Sequence, residues 1–124
     1  MTPHHVTSLD WSKKLKEAGV PQKSEFYYTK NGIESINQLP SGRVRSYHVS
    51  AFLSDELAEM LPPIFNINDE SYHCVIQRGL AGNLYYAIIR KLEKTEVSIK
   101  KFSDKFLPNA LAAMVVYLKE RKTI

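Results

Sequence analysis

The residues of this 124-residue chain with the most obvious chemical potential are four histidines, one cysteine and two adjacent acidic pairs. Metal binding needs several ligands at a workable spacing, and His4, His5, His48 and His73 form neither a His-Glu-x-x-His motif nor part of a paired-Cys arrangement. His4-His5 could hold a metal weakly, but the plainer reading is a loosely ordered terminus. His73 and Cys74 fall in an expected strand, where neighbouring side chains point to opposite faces and cannot readily form one catalytic pair. A lone Cys reads first as a small buried hydrophobe. Asp55-Glu56 and Asp69-Glu70 would serve acid-base chemistry only if their pKa values were pushed apart. Helix-start charge explains the first pair and a solvated turn the second. The five glycines are dispersed and match neither a P-loop nor a dinucleotide fingerprint. The expectation is a non-enzymatic protein without catalytic residues, cofactor or metal.

A surface remains as the candidate. Arg78, Arg90, Lys91, Lys94, Lys100 and Lys101 lie in or beside one stretch of expected strands, with Tyr72, Tyr85 and Tyr86 among them. Cations and aromatics on an open sheet face can hold phosphates and stacked bases. Tyr85 and Ile89 share one face of their strand, while Tyr86 and Arg90 share the other, so only part of the set can cooperate. Tyr86, Arg90, Arg78 and Lys100 are the candidate interaction residues. The bland alternative packs one set of tyrosines under helices and leaves the lysines to guard a sheet edge. Tyr27, Tyr47 or Tyr86, if exposed, would suit a protein partner or a second copy, because Tyr buries area at low entropic cost.

The elements that must position these residues follow from local pattern. Ser8 is a plausible N-cap for a helix in which Trp11, Leu15 and Ala18 share a face, and Gly19 with Pro21 ends it. Residues 25–29 read as an aromatic strand. Asn31-Gly32 signals a type I′ hairpin with a return over 33–38. Pro40, Ser41 and Gly42 interrupt before a further strand over 43–49. A helix over 53–61, striped by Leu53, Leu57, Met60 and Leu61, stops at Pro62-Pro63. After a polar turn over 66–70, strands over 72–78, 84–91 and 96–102 form a meander, joined by turns at 79–83 and 93–95. Leu107, Leu111, Met114, Val115 and Leu118 define a last helix, with Pro108 early and Lys119, Arg121 and Lys122 near its end. Its apolar stripe is expected to lie on the sheet.

These elements add up to one α+β domain over residues 1–124, a mostly antiparallel sheet with about three helices on one face. About residues 1–7 are expected to be loose. With 44% hydrophobic and 24% charged residues, the chain belongs with globular domains rather than disordered ones. No apolar run approaches the ~20 residues that span a bilayer. The N-terminus does not read as a signal peptide and Cys74 has no intrachain partner, so the cytosol is the expected compartment. A net charge of +4 is modest for a polyanion binder.

Three segments together carry a family resemblance: Leu15-Lys16-Glu17-Ala18-Gly19-Val20-Pro21-Gln22-Lys23-Ser24-Glu25-Phe26-Tyr27-Tyr28, Ser54-Asp55-Glu56-Leu57-Ala58-Glu59-Met60-Leu61-Pro62 and Ala110-Leu111-Ala112-Ala113-Met114-Val115-Val116-Tyr117-Leu118. In order and spacing the chain resembles a small phage- and prophage-associated protein family with no established activity. That family often has Pro before the middle helix and Trp in the last one, where this chain has Phe52 and no Trp. The resemblance implies a phage-like setting and carries no functional residue with it. The leading expectation is an accessory protein acting through protein contacts or as a homo-oligomer; the alternative is a nucleic-acid-binding module using the basic, Tyr-bearing meander. Gln22 and Ser24 are expected to cap backbone groups.

Overall fold

The computed structural model describes residues 5–39, 42–79, 83–94 and 98–124. In chain order it contains helix α1 (Leu9–Glu17), strands β1 (Phe26–Thr29) and β2 (Gly32–Ser35), a 3-10 turn (Ile36–Gln38), strand β3 (Val49–Ala51), helix α2 (Ser54–Glu59), strands β4 (Phe65–Ile67), β5 (Glu70–Arg78), β6 (Tyr85–Lys91) and β7 (Ser98–Asp104), and helix α3 (Leu107–Glu120). The class is α+β as expected, with the strands divided between two antiparallel sheets. One has the order β2-β1-β3, the other β4-β5-β6-β7. The expected breaks at Pro40-Ser41, within 79–83 and at Thr95-Glu96 include residues outside those described, as does His4.

α3 organises the molecule, because its apolar residues extend around more than one side. It contacts α1 and α2 as well as β6 and β7. Ala110, Leu111, Ala112, Met114, Val115 and Leu118 are buried, together with Leu15 of α1, Leu57 of α2, Phe65 of β4 and Ala87 and Ile89 of β6. Burying one such Leu or Ile side chain contributes about 1.5–3 kcal/mol. Small Ala side chains let neighbouring elements approach the helix closely.

Local chemistry explains the ends. The Ser8 hydroxyl accepts from Trp11 N at 3.3 Å, the expected N-cap. Gly19, just past α1, has φ of 89°, which a β-carbon would disfavour. Along α1, Leu15 is fully buried while Trp11 and Ala18 are half-buried. Near the start of the described residues, Val6 and Thr7 are buried. Thr7 N donates to Phe52 O at 2.9 Å, and Thr7 Oγ1 accepts from Phe52 N at 3.1 Å.

Several expected elements shift. Asn31-Gly32 is not a type I′ turn, since only Gly32 of the pair has positive φ, at 97°. Among the described residues, the two-residue turn with both φ positive is Asn68-Asp69, at 51° and 66°, between β4 and β5. The segment expected as a polar turn therefore holds a strand, β4, and a tight hairpin. The expected 43–49 strand is mostly connection: His48 N donates to Arg45 O at 3.0 Å, and Arg45 N donates to His48 Nδ1 at 2.9 Å. These local bonds satisfy backbone groups that a strand would pair, so β3 begins only at Val49. The return strand shortens to Gly32–Ser35, because Ser35 N donates to Gln38 Oε1 at 2.7 Å and the chain turns. No helix among the described residues is long and apolar enough to cross a membrane.

Candidate functional site

Cross-strand register sorts the candidate residues onto two faces of the four-stranded sheet. Paired residues share a face, so Gln77, Tyr86 and Ser103 lie together, as do Val75, Ile88 and Lys101, and His73, Arg90 and Ser98. The other face carries Cys74, Ile89 and Lys100, then Ile76, Ala87 and Phe102, then Arg78, Tyr85 and Asp104. α3 covers this second face, where the Phe102 and Tyr117 rings meet at 5.5 Å. Tyr86 and Arg90 therefore belong to the open face, while Arg78 and Lys100 belong to the helix-bearing face. The four candidates are not one patch.

On the open face the long side chains lie down. Arg90 Nη2 reaches Gln77 Oε1 at 3.5 Å, and Lys101 Nζ sits 4.2 Å from the Tyr86 ring centroid, a cation–π contact. Their neighbour Ile88 is 3% exposed. None of the described strand residues on this face is acidic. His73 Nε2 and Arg90 Nε, on directly opposed residues, are buried without a hydrogen-bond partner among the described residues. An unmet buried polar group costs about 1–3 kcal/mol.

Lys100 on the other face is exposed, with its Nζ 5.7 Å from each of the Phe102 and Tyr117 ring centroids. Arg78 stands at the end of β5 with its guanidinium carbon 5.6 Å from the Tyr85 ring centroid. It helps line a groove of about 680 Å³ between the ends of β5 and β6 and the starts of α2 and α3. Leu53, Phe106, Leu107 and Pro108 supply apolar walls; His5, Asp55 and Lys105 supply charge or polarity. The ion pair among the described residues is Lys91–Glu70, so Arg78 has no carboxylate partner there.

The edge of β5 is a feature the sequence reading missed. Leu92 N donates to Ser71 O at 3.0 Å and Gly79 N to Leu84 O at 2.8 Å. These bonds put the odd-numbered residues of β5 into the ladder with β6. The alternate residues Cys74, Ile76 and Arg78 therefore turn their N–H and C=O groups outward. β4 pairs only as far as Tyr72, opposite Phe65. Extending that register would set Pro63 against Cys74, and Pro has no N–H to give. Among the described residues no strand pairs with 73–78 on that side. Ile76 is 48% exposed there. The usable signal in the sequence was Pro62-Pro63 just ahead of an unrecognised short strand.

The remaining chemical candidates are taken up structurally. Gln22 Oε1 accepts from Ser50 N at 2.8 Å and Nε2 donates to Val20 O at 3.1 Å. Ser24 Oγ donates to Phe26 O at 2.6 Å, so both residues bond backbone as expected. Glu56 accepts from Leu53 N at 2.8 Å and from Glu25 N at 3.0 Å, tying the start of α2 to the approach to β1. Glu70 accepts from Tyr72 Oη at 2.8 Å and pairs with Lys91 at 3.1 Å. That hydroxyl bond, then Lys91, holds the Glu70 carboxyl below its usual range. Burial pushes the Cys74 thiol up to about 11, which suppresses the nucleophilic thiolate. His48 lies buried before β3 and His73 on the other sheet. Among the tyrosines considered for a partner, Tyr27 is buried and Tyr47 is 75% exposed. Among the described residues no group of three or more His, Cys, Asp or Glu is placed to hold a metal ion.

No protein-family model, curated protein or solved structure matches this chain.

Proposed function

We propose that the chain is a non-enzymatic accessory protein that works through protein contacts, with the outer edge of β5 as its docking surface. The carrying observation is the outward-facing backbone of Cys74, Ile76 and Arg78 beside the exposed Ile76 side chain. A strand edge of this kind can bind an extended segment through main-chain hydrogen bonds. The opposite edge, β7, is guarded: it carries Lys100 and Lys101, and its pairing with β6 is irregular at Ile89/Arg90. Charged edge residues and bulges discourage strand addition. The cytosolic setting suits a chain whose single cysteine offers no internal disulfide. The phage or prophage origin rests on the resemblance of three segments alone.

The test combines sedimentation with capture at physiological salt, using the full chain and its Ile76→Lys variant. A protein partner, or self-association, is retained by the parent chain and lost in the variant. Equal binding by both would move the contact away from the edge. A strict monomer with no reproducible partner would remove the protein-contact reading.

A nucleic-acid reading has its own observation, the open face on which, among the described residues, Tyr86, Arg90 and Lys101 meet no strand carboxylate and two polar atoms lack partners. With Arg90 and Lys101 as the phosphate contacts, single-strand affinity should fall with salt at a log–log slope of roughly −1.4. Absence of binding at low salt in a fluorescence anisotropy titration removes this alternative.

A further inference from the structure

We infer that the groove at the Arg78 end of β5 receives an acidic side chain, Asp or Glu, from an extended partner segment added antiparallel to the β5 edge. This inference rests on the strand-docking reading above. Arg78 belongs to both features: its main chain ends the free edge and its side chain lines the groove. An antiparallel strand laid on β5 begins at Arg78 and runs toward Tyr72, where β4 blocks further pairing. The early residues of that strand are therefore the ones that lie over the groove.

Charge selects what those residues carry. Arg78 and Lys105 line the groove with His5, against the single carboxylate of Asp55. Arg78 is free of any carboxylate partner among the described residues. A guanidinium beside the Tyr85 ring presents a planar fork that matches a carboxylate in two parallel hydrogen bonds. The apolar walls at Phe106, Leu107 and Pro108 lower the local dielectric and strengthen that pair relative to one in open water. A second copy of this chain is a poorer occupant. Its own β5 brings no carboxylate between Ser71 and Arg78.

The experiment titrates ¹⁵N-labelled full chain with the blocked peptide acetyl-Val-Glu-Val-Thr-Val-Thr-amide and its Gln counterpart, reading amide shifts by NMR. Both peptides should move the amides of Cys74, Ile76 and Arg78, with the Glu peptide about tenfold tighter at low salt. Arg78→Ala should erase that tenfold preference while the edge shifts persist. Equal affinity of the two peptides, with edge shifts intact, overturns the acidic-residue inference and leaves strand docking standing. No edge shift with either peptide overturns strand docking and the inference together. A Gln peptide with a free C-terminus that matches the Glu peptide overturns the side-chain assignment in favour of a chain end. Edge shifts that grow with protein concentration in the absence of peptide assign the edge to a second copy.

Discussion

The two sheets of this molecule differ in how far side chains close their backbone gaps, although Ser50 Oγ of β3 is also buried without a partner among the described residues and no described strand pairs with the outer side of β2. Around the three-stranded sheet, side chains close backbone gaps. Thr7 bonds both Phe52 N and the Ser12 hydroxyl, the latter at 2.7 Å. Tyr28 Oη donates to Thr7 O at 2.7 Å, and Lys16 Nζ reaches the carbonyls of Ser46 and His48. Around the four-stranded sheet, one edge is open, one face is uncovered by helices, and His73 Nε2 and Arg90 Nε are unpaired among the described residues. Polar groups already spent on the fold are poor candidates for binding. Those left open on a rigid sheet can engage a partner without first breaking a native contact.

The largest effect that would break this contrast is on stability. Thr7→Val should destabilise the chain by about 2–3 kcal/mol in urea denaturation, because it strands the buried Phe52 N–H and removes the Ser12 partner. A loss under 0.5 kcal/mol would show that the first sheet does not depend on its side-chain closures. A smaller loss, about 1 kcal/mol, is expected for Glu56→Gln, since an amide oxygen replaces only one of two carboxylate acceptors at Leu53 N and Glu25 N. Ile76→Lys should change stability by less than 0.5 kcal/mol, since the side chain is exposed and no described strand makes ladder bonds with the altered edge. A large destabilisation there would mean that the edge serves the fold rather than a partner.

Two pH experiments sharpen the same comparison. The Cys74 thiol, raised by burial to about 11, should react slowly with iodoacetamide at pH 8 and accelerate only toward pH 11. Because its folded value is raised, any stability linked to its protonated form is present below the unfolded thiol range near 8.5 and is lost as pH rises through about 11. Fast alkylation at pH 8 would show that the covered face opens readily. Glu70 has the opposite sign: its folded value is depressed, so its contribution is present above the unfolded value near 4.3 and fades as pH falls through the folded one. The pair is solvent-exposed, so the expected gap in acid melting between the chain and Glu70→Gln is small and closes at the acid end.

Much of the fold was legible where one local rule governed. Ser8 as a cap, Gly19 as a stop, the strands of the meander and the stripe of α3 each follow from a single residue type or period. Gln22 and Ser24 were legible as backbone partners for the same reason. β4 was not, because a three-residue strand bounded by Pro63 and Asn68 carries too little alternation to stand out from a polar turn. The type I′ turn was read at Asn31-Gly32, where only Gly takes positive φ, whereas Asn68 and Asp69 both tolerate it. β3 was displaced because the His48 ring, not a neighbouring strand, accepts the N–H of Arg45.

The candidate site shows the same boundary. Alternation along β6 already separated Tyr86 and Arg90 from Tyr85 and Ile89, since a pleated strand must send successive side chains to opposite faces. That much belongs to the sequence by itself, along with the α+β class, the antiparallel meander and the apolar character of α3. Only the tertiary structure decided that α3 covers the face bearing Lys100 and Arg78, that two sheets form instead of one, and that β4 ends early enough to leave Cys74, Ile76 and Arg78 facing outward. The physical reason is range. Periodicity and capping act within a few residues, whereas coverage of a face and pairing of an edge depend on which distant segment arrives there, and Pro63 keeps the nearest one from extending.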